Sequence, residues 1–514
     1  MTQSALNPAP TAALRDDRVR VARDWPNHLG LIAIFAIGLA WLQPSVTLVS
    51  DVSWIISLCE RLLQGGRLYT DIWEVNPPAT VWLYLPFVAL AQALGLRPET
   101  VINGEVWLLA AAMLGLVRVI LAPTPWLARQ DGVTLFWLAA LILLVLPVNY
   151  FGEREHFCVL LILPALALCL RYNADPQATP LFNSLFLQSL AGICAGIAIA
   201  IKPPIGLSLA LPYLGLCWHQ KSLKYLWTTQ VLAAAGLLVA YGLAIEYFAP
   251  DYLTHMLPTL IAAYLPDRVP LLALLANFAV VAWLLAASLI FLRWRNGAAD
   301  PASLILTGAS LGGLGLYLIQ GKGWRYHSLP MLALAALALA FIVARKPRGQ
   351  RWALAPLLLA IGTLAFSQLW FNDRVPRLHL RAEIAGLAPH PTMLAISGNI
   401  AIGHPLVRLS HGTWVSRECS QWAFLAIAHQ FPLAVHDPQG FATAHPRLAA
   451  IIATEVANLA QDIGLHHPDI ILVDRETADW GKLAENWPKV QSQLAHYANR
   501  GTYDDVAVLQ RITP

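Results

Sequence analysis

Long apolar runs separated by short charged segments dominate the first three quarters of the chain. The first run, Leu29–Val49, contains enough residues to cross a bilayer core of about 30 Å. The pattern predicts a bundle of transmembrane helices. The later runs are Pro78–Leu94, Val106–Ile120, Val133–Val148, Phe157–Leu170, Leu185–Ile201, Pro204–Trp218, Tyr225–Phe248, Leu271–Leu292, Ser303–Ile319, Ser328–Val343 and Trp352–Phe371.

The last part of the chain, from about Asp373, has a different pattern: charge density rises and short apolar stretches alternate with amphipathic ones. This pattern predicts a small α/β domain at 373–514. Strands are predicted at Thr392–Ser397, Asp469–Asp474 and Asp505–Ile512, and helices at Arg417–His429, Pro446–Gln461 and Lys482–His496.

Composition agrees with a membrane protein, because 57% of residues are hydrophobic and only 12% are charged, against about 25% charged in soluble domains. The fold class is therefore mainly α, a polytopic helix bundle with an α/β appendage. The net charge is +4, and the basic residues flank the apolar runs. They are typical of topology signals in contact with membrane lipids and do not indicate a nucleic-acid partner.

The basic loops predict the topology, since Lys and Arg concentrate on the cytoplasmic side. The arginine-rich tail 1–28 and the loops at Lys221, Arg293 and Arg348 should all be cytoplasmic. These loops are mutually consistent if Pro78–Leu94 is a juxtamembrane or re-entrant helix; alternatively it crosses and another short run does not. We expect about eleven crossings within a transmembrane domain at 29–372, a large first outer loop at 50–103, and an outer C-terminal domain.

This topology, in a cytoplasmic (inner) membrane, places several polar clusters together on the outer face. Charged groups at the ends of membrane helices are costly and indicate function. The clusters are 51–76, 153–156, Lys202, 251–268 and 322–327.

Asp51 follows the first apolar run and is the sharpest catalytic candidate. A carboxylate at a helix end beside a partly enclosed cavity can act as general base towards a hydroxyl. We expect nearby cations to keep it ionised against the effect of burial. The alternative is a helix-end carboxylate in solvent, or an N-cap for Val52–Leu63.

The sequence Glu153-Arg154-Glu155-His156 places four ionisable groups between two predicted membrane helices. On a helix, Glu153 and His156 would share a face and Arg154 would point elsewhere. Two acids beside a cation suit a site that orients a polyol and holds an anion. A self-neutralising loop at the lipid headgroups is the alternative.

Cations at two later helix ends could bind an anion. Lys202 stands directly before Pro203-Pro204, and Lys322, Arg325 and His327 lie within six residues rich in glycine and aromatics. Arg325 could bind two phosphate oxygens, and His327 could donate a further hydrogen bond. Snorkelling of Lys202 to headgroups and an aromatic interfacial anchor at 321–327 are the alternatives.

Nucleotide-binding and protease motifs are absent: the chain has no Walker sequence, no dinucleotide fingerprint after a strand, no HExxH and no serine elbow. Because the clusters are predicted to face outward, where nucleotides are scarce, a lipid-phosphate donor fits this site better than a nucleotide-sugar donor does.

The order of these motifs resembles the GT-C superfamily of integral-membrane glycosyltransferases, nearest to the protein O-mannosyltransferases and the lipid A aminoarabinose transferases (glycosyltransferase family 39-like). The resemblance covers about residues 29–371. Two departures are Asn76, where the family often has Lys, and the doubled acid of the second loop. The matching residues are Asp51, Gly66 to Asp71 (GRLYTD), Pro77-Pro78, Glu153 or Glu155, Gly196 to Pro204 with Lys202, and Arg325 to Pro330.

The resemblance implies inverting transfer of a sugar from a polyprenyl-phosphate donor to a hydroxyl of a lipid, glycan or protein acceptor. Asp51 would be the base, and Glu153 or Glu155 would support the acceptor or the sugar hydroxyls. Lys202, Lys322, Arg325 and His327 would stabilise the leaving phosphate. The remaining site candidates, which would hold the acceptor, the sugar or the loop, are Tyr69, Asp71, Arg154 and His156. No cofactor is implied; a divalent metal held by the acid pair is an alternative that we do not favour.

Two other functions remain open. A flippase or transporter of a lipid-linked sugar would share the cavity and its cations, but should show inverted repeats. A non-catalytic scaffold of an envelope complex would leave the ordered acidic clusters unexplained.

Overall fold

The computed structural model describes residues 27–40, 49–122, 124, 131–174, 182–298, 300–344, 354–372 and 377–512. The predicted cytoplasmic tail and the loop at Arg348 lie outside the described residues. The helices before residue 372 are α1 Asn27–Ala40, α2 Ser50–Leu63, α3 Pro78–Leu94, α4 Pro98–Leu121, α5 Asp131–Leu144, α6 Arg154–Ala174, α7 Phe182–Ile201, α8 Leu207–His219, α9 Thr229–Phe248, α10 Leu271–Leu275, α11 Phe278–Arg293, α12 Pro301–Gln320, α13 Leu329–Ala344 and α14 Ala355–Phe366.

Short 3-10, π or single-turn segments connect several of these helices. They are Val148–Tyr150, Pro203–Gly206, Leu223–Trp227, Tyr252–Met256, Leu257–Thr259, Leu260–Tyr264, Trp294–Ala298, Arg325–Ser328 and Ser367–Phe371.

Membrane-spanning potential is spread along the whole bundle. Within the described ranges, seven helices are long and apolar enough to cross a bilayer. The predicted multi-pass helical architecture is thus confirmed, whereas the number of crossings stays a prediction. The seven are Pro98–Leu121, Arg154–Asn173, Thr229–Phe248, Phe278–Gly297, Pro301–Gln320, Arg325–Ala344 and Pro446–His466, and shorter apolar helices include Asn27–Ala40, Pro78–Leu94, Gly132–Leu144, Leu185–Ile201 and Ala355–Phe371.

A glycine pair in α12 sets the spacing of three elements. A Cβ on Gly312 would lie 2.4 Å from the carbonyl carbon of Leu207, and one on Gly313 would lie 2.6 Å from the backbone nitrogen of Met331. Only glycine permits such close backbone approach on both sides. One turn of α12 therefore touches the start of α8 and the start of α13, which brings the segments before those helices together.

The C-terminal domain, 377–512, contains a five-stranded sheet in the order β2-β1-β3-β5-β4. Strand β1 runs parallel to β2 and β3, while β5 runs antiparallel to β3 and β4. The predicted α/β domain is confirmed. Its elements are α15 Leu378–Leu387, β1 Thr392–Ile396, Ile400–Ile402, α16 Leu406–Leu409, β2 Thr413–Trp414, α17 Trp422–Gln430, α18 Leu433–His436, α19 Pro438–Ala444, α20 Pro446–His466, β3 Ile470–Asp474, α21 Trp480–Glu485, α22 Pro488–Leu494, β4 Tyr497–Tyr503 and β5 Val506–Arg511.

Some predicted bounds in this domain are wrong. The predicted helix Lys482–His496 is two helices, because Pro488 cannot donate its backbone nitrogen and starts a new helix instead. Helix α20 meets the length and composition of a membrane span, but its Glu455 and Asp462 are buried against the rest of the C-terminal domain. It is therefore a domain helix, as its spacing predicted.

The C-terminal domain is attached to the bundle by charged contacts. Arg408 donates from Nη1 to Glu60 of α2 and from Nε to Glu99 of α4, each at 2.7 Å. The backbone nitrogen of Trp73 donates to the carbonyl of Arg417 at 2.7 Å. The segments just before and just after α3 therefore both contact the C-terminal domain. A helix that lies at the membrane surface requires contacts of this kind, although the depth of α3 in the membrane stays a prediction.

Candidate active site

Asp51 lies in the first turn of α2, where the helix dipole favours an acidic group. Its carboxylate accepts a hydrogen bond from Nη2 of Arg154 at 3.1 Å, and 22% of the side chain is exposed. The N-cap position is Val49, and no side chain caps the helix. Asp51 is therefore not the cap that the alternative interpretation proposed.

A tight turn before α6 presents the acidic loop. Gly152 adopts φ +78°, which glycine reaches without strain. The hydroxyl of Tyr84 donates to the Gly152 carbonyl at 2.6 Å, and the Gly152 backbone nitrogen donates to Nδ1 of His156 at 3.1 Å. The other ring nitrogen of His156 contacts the Leu143 carbonyl at 2.7 Å. Both ring nitrogens are used internally, so His156 supports the turn, which agrees with the loop alternative of its prediction.

Arg154 is the centre of the cluster. Its guanidinium donates to Glu153 at 2.8 Å, to Asp51, and through Nη1 to Oδ1 of Asn76. The prediction that Arg154 points away from the acids is wrong. Helix α6 begins at Arg154, so Glu153 lies before the helix. The rotation of about 100° between successive helical residues therefore does not separate the side chains of Glu153 and Arg154.

Glu155 joins two distant segments. The Lys202 ammonium contacts Oε1 of Glu155, and Nε2 of His327 lies 3.7 Å from the same oxygen. Lys202 follows the end of α7, where Pro203 prevents the helix from continuing. Because Gly312-Gly313 hold the starts of α8 and α13 together, Lys202 and His327 meet at one carboxylate; their binding of a phosphate stays a prediction.

Two predicted phosphate ligands are engaged elsewhere. The three hydrogens of the Lys322 ammonium are matched by the Tyr264 carbonyl at 2.8 Å and by the carbonyl and carboxylate of Asp267. Arg325 donates to the Trp370 carbonyl at 3.0 Å, and its guanidinium lies 5.2 Å from the Trp370 ring centre. Neither contact points to the Lys202 and His327 pair. The expected phosphate role of Lys322 and Arg325 is therefore not supported by this geometry.

The first loop is built by its own side chains. Asp71 accepts hydrogen bonds from the backbone and side chain of Arg67, and this ion pair is exposed. The Tyr69 hydroxyl donates to the Asn76 carbonyl at 2.7 Å. Both residues shape the loop, as predicted for Asp71, and Tyr69 thereby fixes Asn76 beside Arg154.

Sequence reasoning missed Glu74. This residue is buried, and its carboxylate accepts from the indole of Trp54 and from the Asn76 backbone nitrogen at 2.8 Å. It also accepts from the Asn76 side-chain amide, which leaves the amide oxygen for Arg154. An acid two residues before Asn76 was the available signal, but its burial depends on Trp54 of α2.

Burial raises the pKa of Asp51 above the usual aspartate range, although the Arg154 guanidinium opposes this. Burial therefore outweighs the cation in the direction of this shift, and the ionisation of Asp51 near neutral pH stays a prediction. Burial also raises the pKa of Glu153 to about 7, again against the effect of Arg154. A raised pKa suits a general base, because proton transfer is most efficient when the pKa lies near the working pH.

Several polar atoms of the cluster are buried and have no partner among the described residues: Oε2 of Glu153, Oε2 of Glu155 and Nδ1 of His327. Buried polar atoms are normally hydrogen-bonded, so these positions indicate water or a ligand. In the same ranges, no group of three His, Cys, Asp or Glu side chains is arranged to hold a metal.

No family model matches the sequence, and no curated protein matches it. Solved structures with a similar fold include ArnT from Cupriavidus metallidurans bound to undecaprenyl phosphate, at 13% identity, 94% of this chain, 97% of that chain and TM-score 0.49. They also include the archaeal oligosaccharyltransferase AglB from Archaeoglobus fulgidus in complex with an inhibitory peptide and a dolichol-phosphate. This match has 12% identity and a TM-score of 0.46, and it covers 92% of this chain and 72% of that chain.

Proposed function

We propose that this protein is a membrane glycosyltransferase that transfers a sugar from a polyprenyl-phosphate donor to an acceptor hydroxyl. The observation that carries the proposal is the partly exposed Asp51 carboxylate, held by a buried Arg154 beside the Glu155, Lys202 and His327 cluster. A base and nearby cations are the two parts that such a transfer needs.

In the proposed reaction, Asp51 removes the proton of the acceptor hydroxyl. The oxygen attacks the anomeric carbon from the face opposite the phosphate, and the bond between that carbon and the phosphate oxygen breaks. The configuration is inverted, and polyprenyl phosphate leaves. Arg154 orients Asp51, and the two ammonium hydrogens of Lys202 that Glu155 does not use can stabilise the leaving phosphate.

Charge balance involves Glu153. The cluster holds two cations, Arg154 and Lys202, against the carboxylates of Asp51, Glu153 and Glu155. A phosphodiester adds a negative charge, and a Glu153 with a pKa of about 7 can take up a proton to offset it. With Glu153 protonated, Arg154 and Lys202 face Asp51, Glu155 and the phosphodiester, so the site keeps the same single excess negative charge that it had before the donor bound. We place this site on the outer face of a cytoplasmic membrane, on the side of the C-terminal domain.

The test is transfer by the purified full chain in lipid nanodiscs, using undecaprenyl phosphate carrying glucose, mannose, galactose or aminoarabinose and an envelope lipid and glycan extract as acceptor. We expect one radiolabelled sugar to move to the acceptor fraction, with release of undecaprenyl phosphate. No transfer, together with movement of the intact lipid-linked sugar across the bilayer of proteoliposomes, would instead support the flippase alternative.

A further inference from the structure

A row of aromatic rings runs from the C-terminal domain to the phosphate end of the candidate site. The centre of the Trp422 ring lies 6.0 Å from that of Tyr264, which lies 6.4 Å from Trp324. Trp324 lies 5.7 Å from Tyr326 and 5.3 Å from His327. We call Trp422, Tyr264, Trp324 and Tyr326 the aromatic wall.

The C-terminal domain holds its part of the wall firmly. Trp422 is the first residue of α17, and Gln430 at the other end of that helix donates to the Ala263 carbonyl at 2.9 Å. The segment just before α17 accepts a hydrogen bond from Trp73 through the Arg417 carbonyl. Trp422 is thus fixed against the bundle on both sides.

The wall also lies close to the proposed chemistry. Tyr264 and Tyr326 are both within electrostatic range of Asp51 and Arg154. The Lys202 ammonium lies 5.7 Å from the centre of the Tyr326 ring. The Tyr326 end of the wall thus lies beside Lys202.

Each end of the wall carries a buried nitrogen without a partner. Trp422 is 8% exposed and its indole nitrogen has no hydrogen-bond partner among the described residues; His327 is 2% exposed and the same holds for Nδ1. A buried polar nitrogen left unpaired is costly, so a hydrogen-bonding ligand would relieve it. Trp324 is 42% exposed, which leaves the middle of the wall accessible.

We propose that the aromatic wall is the subsite for the donor's sugar, a deepening that rests on the proposed function. A pyranose or pentose ring has an apolar C–H face that packs on aromatic rings, and hydroxyls that can reach the nitrogens of Trp422 and His327. An isoprenoid chain would cover the rings and leave both nitrogens unpaired. The chemistry of the wall thus favours the sugar over the lipid chain, and makes the C-terminal domain part of the donor site.

The test is direct binding to the full chain in nanodiscs, comparing sugar-free undecaprenyl phosphate with its glucosyl, mannosyl, galactosyl and aminoarabinosyl derivatives. For wild type, at least one glycosylated lipid should bind more tightly than the sugar-free lipid. Trp422→Phe removes the N–H and keeps a ring, so we expect about three- to tenfold weaker binding of that glycosylated lipid. Trp324→Ala should weaken it by about tenfold. Binding of the sugar-free lipid should not change in either variant.

Trp218→Phe is the matched control, since Trp218 is 87% exposed in α8 and outside the wall. Thermal unfolding checks the fold of Trp422→Phe, and exposed Trp324 offers a second variant that should fold normally. Equal weakening of sugar-free and glycosylated lipid would assign the wall to the lipid chain and overturn the proposal, as would equal affinity of wild type for all lipids. If transfer still requires Asp51 in either case, the proposed function stands and only the subsite fails.

Discussion

Asp51 and Arg154 are 103 residues apart in sequence, yet Nη2 of Arg154 lies 3.1 Å from the Asp51 carboxylate. The start of α2 and the start of α6 therefore meet at one point. Arg154 is 4% exposed at its side chain and Asp51 is 22% exposed, so the cation is enclosed while the carboxylate remains reachable. The proposed base requires this difference, because Arg154 must stay in place while the Asp51 carboxylate remains accessible to an acceptor hydroxyl.

Asp51→Asn should abolish transfer while leaving the donor bound. The amide keeps the shape and still accepts a hydrogen bond from Arg154, but it cannot take a proton. Loss of a general base costs about 10²–10⁴-fold in rate, which an assay of sugar transfer measures directly. Asp71→Asn is the control, because Asp71 pairs only with an exposed Arg67 in the loop; near wild-type transfer by Asp51→Asn would exclude Asp51 as the base.

Donor affinity should fall as the pH rises above about 7. Burial raises the pKa of Glu153 to about 7, and a bound phosphodiester favours its protonated form further, so binding takes up a proton. Titrations of undecaprenyl phosphate glycosides between about pH 6 and pH 8.5 should show this slope, which is at most tenfold per pH unit for one proton. Glu153→Gln is permanently neutral and should bind with a flat profile; a slope that persists in this variant would assign the proton to another group.

Arg154→Met should destabilise the whole bundle. It leaves Asp51 and the buried Glu153 without their cation, and breaking a buried ion pair costs about 3–5 kcal/mol. Thermal unfolding in detergent, followed by tryptophan fluorescence, measures the loss. Arg67→Met removes an exposed ion pair worth about 0–1 kcal/mol and should shift the transition little. An Arg154→Met protein as stable as Arg67→Met would show that the cluster is not a structural unit.

Cysteine labelling should separate the two faces of the membrane. All six native cysteines are buried, so the background is low. We expect Ser492→Cys, an exposed position in α22, to react with an impermeant maleimide from outside the cell. His219→Cys, exposed beside the Lys221 loop, should react only after permeabilisation. Equal labelling of both from outside would overturn the topology.

The C-terminal domain should lose local stability as the pH rises from about 5 to about 8. Glu455 is buried, accepts from the backbone nitrogens of Ala423 and Phe424, and has its pKa raised to about 7 by burial, beside Glu418. Because the folded state holds the proton more tightly than the unfolded state, the stabilisation is complete at low pH and is lost as the pH passes about 7.

Hydrogen exchange of the peptide covering α17, corrected for intrinsic rates, measures this opening. Glu455→Gln should reduce the pH dependence, with the remainder carried by the buried Glu418, while Glu485→Gln, at an exposed position, should leave it unchanged. Unchanged pH dependence in Glu455→Gln would place the titrating group elsewhere.

Much of the architecture could be predicted from the sequence. Run length and charge placement reflect the cost of burying charges in lipid, so the helical bundle and a separate α/β domain after it were predictable. The boundary expected near residue 373 stays a prediction. Strands β1, β3 and β5 were also predictable from their apolar content. Strand β4 was not, because Asn499, Arg500 and Gly501 give an edge strand no apolar alternation.

The composition of the site was predictable only in part. The sequence alone identified Asp51, Glu153, Glu155, Lys202 and His327, because charged groups at membrane helix ends are rare and costly. It could not assign Arg154 to the centre, His156 to a turn, or Lys322 and Arg325 to contacts with Asp267 and Trp370. Those roles depend on which backbone carbonyls and carboxylates surround each side chain, and only the tertiary structure, through contacts such as the Gly312-Gly313 approach to α8 and α13, brings these partners within hydrogen-bonding distance.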